Sequence, residues 1–248
     1  EKIIIPPHVK EIGEHAFTEC KNLSTIEFPK DSELISIGNH SLLNSGIKTI
    51  TIPPNVKQIG YCLCCTLSKV IVSPGNQHFK WVDDGFLIYK SDENSDDFDT
   101  LVYASCDIEN IKIPSYIKRI LPFCFYNTDK LRKVEFSPDS QLVSVENNAF
   151  YKSNIESIVF PSTIKCIGKY AFTDCKELRT VEFPSNSELE LIEEGAFYFS
   201  DIEQIIIPPH VKRIEKSAFE SCSNLQTVEF LNDSELEFIG EGAFLYSK

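Results

Sequence analysis

Three sets of residues in this chain have side chains that could do chemistry. Cys62, Cys64 and Cys65 lie together and raise a zinc or redox site. A structural zinc site takes two ligand pairs at suitable spacing, and no second pair accompanies these three. They read instead as thiols filling a shortened segment, because unpaired Cys packs as a small hydrophobe. Asp92, Glu93, Asp96, Asp97 and Asp99 raise a calcium site. The EF-hand order, with Gly sixth and Glu twelfth, is absent, so the stretch reads as a hydrated turn. The His residues, His8, His15, His40, His78 and His210, fall in neither a His-Glu-x-x-His pattern nor a nucleophile elbow. His8 and His210 share one repeat position that other units fill with Asn or Ser, which marks a surface site. No nucleophile, base and orienting group converge. The expectation is a chain with no catalytic site, no resident metal and no cofactor.

Charge narrows the partners. The 248 residues hold 37 acidic and 24 basic side chains, a net of −13. That balance repels phosphate backbones and anionic lipid surfaces, so neither nucleic acid nor a membrane surface is expected. No apolar run approaches the roughly 20 residues that span a bilayer. No signal peptide is visible, and the chain opens partway through a repeat, as an excerpt of a longer protein does. Nine Cys is an odd number, so at least one thiol has no partner within the chain, which leaves the redox compartment open. Asn22, Asn39 and Asn232 open Asn-x-Ser acceptors at a frequency near chance.

The elements that must position these side chains are repeats. An apolar residue, two variable residues, Ile or Val, one variable residue and Phe or Ile recur, often followed by Pro, as in Leu23-Ser-Thr-Ile26-Glu-Phe28-Pro29 and Ile155-Glu-Ser-Ile158-Val-Phe160-Pro161. The central residue falls at 3, 26, 50, 70, 111, 134, 158, 181, 205 and 228, mostly 23 or 24 apart. A second block follows each marker: Ile12-Gly13-x-x-Ala16-Phe17, Ile167-Gly168-x-x-Ala171-Phe172 and Ile239-Gly240-x-x-Ala243-Phe244, then x-x-Cys or x-x-Ser.

Each unit therefore predicts one coil. The period-two stretch is a short strand with one face inward, and Pro stops it. Ala-Phe plugs the coil from the opposite side. One coil cannot bury its own apolar residues, whereas a stack can. The longer units carry Asp31-Ser32-Glu33-Leu34 or its equivalents, where Asp, Asn and Ser satisfy turn amides. Cys20, Cys175 and Cys222 stand where other units place Ser and predict a buried ladder. Two places break the period. Residues 61–67 are about three residues short, and 73–107 read as a degenerate repeat with an added hairpin, Asp84-Gly85 being its turn signal.

Leu-x-x-Ile-x-Phe-Pro followed by Ile-Gly-x-x-Ala-Phe-x-x-Cys resembles the BspA-like leucine-rich repeats, over nearly the whole chain. The divergent unit, Gly75-Asn76 through Tyr89 to Thr100-Leu101-Val102-Tyr103, resembles one too, and residues 61–67 depart from the pattern. The resemblance implies a leucine-rich-repeat solenoid, α/β or mainly β, right-handed, with parallel strands and about ten coils forming a single domain over 1–248. It implies a cell-surface or secreted role in adhesion or host recognition, with a protein or glycoprotein partner. An intracellular scaffold or inhibitor, or a structural spacer, uses the same fold.

The outward strand positions are the candidate binding residues. One row is polar throughout, running from Thr25 to Thr227. The other reads Glu27, Thr51, Ile71, Lys112, Glu135, Val159, Glu182, Ile206 and Glu229. Glu recurs in every second coil over most of this row, which spaces the carboxylates by about 10 Å, one Debye length, and keeps their repulsion small.

Overall fold

The computed structural model describes residues 1–63, 66–82 and 85–248; Cys64, Cys65, Asp83 and Asp84 lie outside the described residues, so the three-thiol cluster and the Asp84-Gly85 turn do as well. The described chain is a β-solenoid of coils joined by turns, with no helix among the described residues. Two compact units divide it, 1–107 and 108–248.

Residues 108–248 hold the more regular stack. Six strands, Asn110–Ile113, Lys133–Phe136, Ser157–Val159, Thr180–Glu182, Gln204–Ile207 and Thr227–Phe230, pair in parallel and in order. Register puts Ile111 beside Val134, Ile158 beside Val181 and Ile205 beside Val228, so the markers form one column. From Ile111 to Ile205 that column is buried. The turn after the strand closes as expected: Ile117, Ile164 and Val211 each donate a backbone N–H to Pro114, Pro161 and Pro208. In the longer coils the hydroxyls of Ser140, Ser187 and Ser234 each accept from the backbone N–H two residues on, at 3.3 Å.

A second ladder lies across the core. Two-residue strands at Arg119–Ile120, Ser144–Val145, Cys166–Ile167, Leu191–Ile192, Arg213–Ile214 and Phe238–Ile239 pair in parallel. One such strand recurs in every coil from Arg119 to Ile239. Gly168 shows how close these coils approach: a Cβ there would sit 2.8 Å from the Glu146 carbonyl carbon.

The Ala-Phe arc is a third layer of coil-to-coil bonding. Alternate N–H groups reach the next coil, as from Tyr170 to Glu194, Phe172 to Ala196 and Asp174 to Tyr198. Those between them close turns within the coil, Ala171 to Gly168 and Thr173 to Tyr170. Aiming alternate amides outward requires a left-handed residue before Ala and another two after Phe. Non-glycine residues fill most of these sites, including Asn148, Lys152, Tyr170, Asp174, Ser217 and Ser221, all near φ +55° to +60°. Inside the arc, Phe125, Phe150, Phe172, Phe197, Phe219 and Phe244 stack face to face with centroids 4.5 to 5.3 Å apart.

Residues 1–107 repeat the scheme over fewer coils. Lys2–Ile4 pairs with Thr25–Glu27, and Thr49–Ile52 with Lys69–Val72, while Glu11–Ile12, Ser36–Ile37 and Gln58–Ile59 form the short ladder. The irregular repeat contains more than a hairpin. Phe79–Val82, Phe86–Tyr89 and Thr100–Ala104 form an antiparallel meander, with a bulge between Leu101 and Tyr103. Every residue of Thr100–Ala104 is buried, so the last strand is core and not decoration.

The ring of Phe172 is fully buried between Phe150 and Phe197, with Phe160 edge-on at 5.9 Å. Phe172→Ala should lower the unfolding free energy by about 3–5 kcal/mol. Chemical denaturation checks this, and a loss under about 1 kcal/mol would place the ring outside the core.

Candidate functional site

The parallel register turns the second outward position into a row. In residues 108–248, Lys112 pairs with Glu135, Val159 with Glu182 and Ile206 with Glu229, and all six side chains are exposed. In residues 1–107, Ile4 pairs with Glu27 and Thr51 with Ile71; Thr51 alone is half-buried. Val159 and Ile206 are 54% and 51% exposed. These β-branched side chains leave apolar area open between the carboxylates of the row.

Beside this row the surface is concave. A groove of about 620 Å³ is lined by Lys133, Glu135, Val159, Phe160, Pro161 and Pro184 among others. A smaller one of about 270 Å³ lies among Glu182, Phe183, Gln204, Ile206 and Glu229. The aromatic floor was not singled out from the sequence. Phe136, Phe160 and Phe183 stack in succession at 6.2 and 5.1 Å, one step along each strand from the exposed row. Their signal was the Phe of the repeat itself, which reads as core. Phe160 is core, whereas Phe136 and Phe183 are only half-buried and serve both layers.

Charge on the row is unevenly neutralised. Lys2 sits 2.7 Å from Glu27. Lys133 pairs with Glu135 on the same strand, and its hydrogen bond and charge hold that carboxyl below the usual carboxylate range. Glu182 and Glu229 have no ion-pair partner among the described residues.

The other chemistry-bearing residues scatter. His8 and His210 are exposed, the latter 3.0 Å from Glu235. His15 and His40 stack at 5.0 Å in adjacent coils; burial, then the His15 charge, pulls the His40 pKa down. Of the acidic stretch, Asp99 is buried, contrary to a uniformly hydrated turn. Its carboxylate accepts from the Ser91 amide at 3.2 Å, the Ser91 hydroxyl at 2.8 Å and the Thr100 hydroxyl at 3.0 Å. Among the described residues no three His, Cys, Asp or Glu converge as a metal set.

Cys175 and Cys222 form the expected ladder with Ser153 and Ser200. Each thiol donates to a Phe carbonyl, Phe150 at 3.0 Å and Phe197 at 3.1 Å, and lies 3.6 and 3.4 Å from the Ser hydroxyl of the preceding coil. Burial pushes them up to about 12 and about 11. Cys20 departs from the expectation: it is exposed.

The comparisons with known proteins agree with this geometry. The sequence model of the BspA type leucine rich repeat region matches in six copies over residues 1–81, 97–226 and 143–248. A leucine-rich cell-surface protein from Faecalibacterium prausnitzii superposes with a TM-score of 0.78 at 24% identity, over 93% of this chain and 59% of that one. The pneumococcal vaccine antigen PcpA gives 0.63 at 25% identity, over 100% and 57%. A leucine-rich repeat protein from Bacteroides ovatus gives 0.60 at 24%, over 99% and 64%. The chain thus spans under two thirds of the length of these solved structures. No curated protein matches it. Among the described residues no helix is long and apolar enough to cross a membrane.

Two solution measurements check the electrostatics. At pH 8 a maleimide should label Cys20 quickly in the native state and reach Cys175 and Cys222 only on unfolding, because a buried protonated thiol is unreactive. Equal labelling rates would contradict the ladder. His40 favours its neutral form when folded, so the unfolded chain takes up its proton first as pH drops. Stability should therefore fall as pH drops below about 6.5, and His40→Asn should flatten that slope. An unchanged slope in pH-dependent melts of the variant would exclude His40 as its source.

Proposed function

Because this chain belongs to the BspA-type leucine-rich-repeat family, we propose that residues 1–248 form one non-catalytic, protein-binding repeat domain of a cell-surface or secreted protein, acting in adhesion or host recognition. The observation that carries this reading is the row Glu135, Val159, Glu182, Ile206 and Glu229, exposed on successive coils beside an aromatic-floored groove. Such a surface offers area, charge and shape to a macromolecule, and extended solenoid faces of this kind are common binding surfaces. It assembles no nucleophile with a base, which supports recognition over turnover. The solved cell-surface neighbour supports the fold of a surface protein and leaves the partner to chemistry. A partner protein or glycoprotein with complementary basic and apolar groups suits this face best.

The test is to replace Glu135, Glu182 and Glu229 together by Lys, and to capture partners from host-surface and matrix proteins with parent and variant. The variant should melt as the parent does, because exposed strand charges contribute little to stability. It should lose the captured partner, because charge reversal on a recognition surface acts on association. Retention of the same partner at the same affinity would move the site off the strand face.

A further inference from the structure

We infer that the strand face of residues 108–248 takes a peptide in the polyproline II conformation carrying Lys or Arg at every third residue, an inference that rests on this face being the binding surface. The argument begins with spacing. Glu135, Glu182 and Glu229 recur every second coil, and ideal parallel strands lie about 4.8 Å apart, a spacing that sets successive carboxylate positions about 9.6 Å apart. A polyproline II chain rises about 3.1 Å per residue with three residues per turn, so one side of it recurs every 9.3 Å or so. The mismatch is about 0.3 Å per step and about 0.6 Å across the three carboxylates. A β-strand laid along the same row presents a side chain to one face every 6.8 Å or so, and misses the second carboxylate by about 2.8 Å. An α-helix read every seventh residue advances about 10.5 Å, and is about 1.8 Å out by the third.

The ground between the carboxylates suits the same ligand. Val159 and Ile206 stand exposed in the intervening coils, and the groove beside Val159 is floored by Phe136 and Phe160 and edged by Pro161. Aromatic-lined grooves accept Pro rings, and a preformed polyproline II chain loses little entropy on binding. Glu182 and Glu229 have no ion-pair partner among the described residues, and Glu135, beside Lys112 in register, is paired with Lys133 two residues before it on its own strand. The net charge of −13 adds a general attraction for a basic chain. Lys112 ends the acidic row and limits the ligand to three cations.

Fluorescent peptides test this against the 248-residue chain by anisotropy at low and at physiological salt. The first repeats Lys-Pro-Pro. The second repeats Lys-Gly-Ser, with the same charge spacing but no preformed helix. The third repeats Lys-Pro, with charge on every second residue. The Lys-Pro-Pro peptide should bind at least about tenfold more tightly than either control, and Glu182→Lys with Glu229→Lys should weaken it by at least about tenfold. Equal binding of the three peptides, or binding indifferent to the double substitution, overturns the inference. If Lys-Pro-Pro fails while the charge-reversed triple variant still loses its captured protein partner, this inference falls and the strand-face reading stands. If the triple variant keeps that partner, the strand-face reading itself fails.

Discussion

A coil of 23 or 24 residues cannot remove its own Ile, Val and Phe from water, so everything else in this molecule depends on register between coils. Register is set three times in each regular repeat: by the longer strand, by the two-residue strand and by the Ala-Phe arc, each bonded to the equivalent segment of the next coil. A slip of one residue in the longer strand would turn its marker toward water and its Glu toward the core. The other two layers resist that slip, because the arc can close only where the left-handed residues fall.

Polar atoms inside such a stack must be satisfied by the repeat itself. The small polar residue three beyond the Phe shows the solution: the side chain bonds back to a Phe carbonyl, through Ser200 and Ser247 at 2.7 Å and through the thiols of Cys175 and Cys222 at slightly longer range. Either residue fits because the site needs a small side chain with one weak or ordinary donor. Thiol chemistry is incidental to this role, which is why a nine-cysteine chain carries buried thiols held in the protonated form.

Much of this was readable from spacing. The marker column, the strand-stopping Pro, the Ser-Glu-Leu turn and the Phe plug each announce themselves by recurrence, because each solves the same packing problem in every coil. The parallel two-residue strands did not, since Arg119–Ile120 or Ser144–Val145 is too short for alternation to register. The left-handed sites were hidden for another reason. Glycine is the usual signal for positive φ, and here Asn, Lys, Tyr, Asp and Ser adopt it because neighbouring coils fix the backbone. Cys20 holds the same repeat position as the buried Cys175 and Cys222 yet is exposed, so repeat position alone does not fix burial. On the candidate face, the exposed row follows directly from period two, whereas the aromatic groove depends on how far the half-buried Phe136 and Phe183 remain open.

The left-handed arc positions also bear on how a chain of this kind can diversify. Their backbone is dictated by bonds to the next coil, so side-chain identity is constrained only by what tolerates positive φ, and no Val, Ile or Thr holds one of these sites among the described residues. Within that limit the set runs from Asn and Ser through Lys and Asp to Phe199 and the 75% exposed Tyr246. The outer turns are thus a place where acidic, basic and aromatic groups can be exchanged from one repeat to the next with the scaffold unchanged, so a lineage could alter its outer surface without altering its architecture.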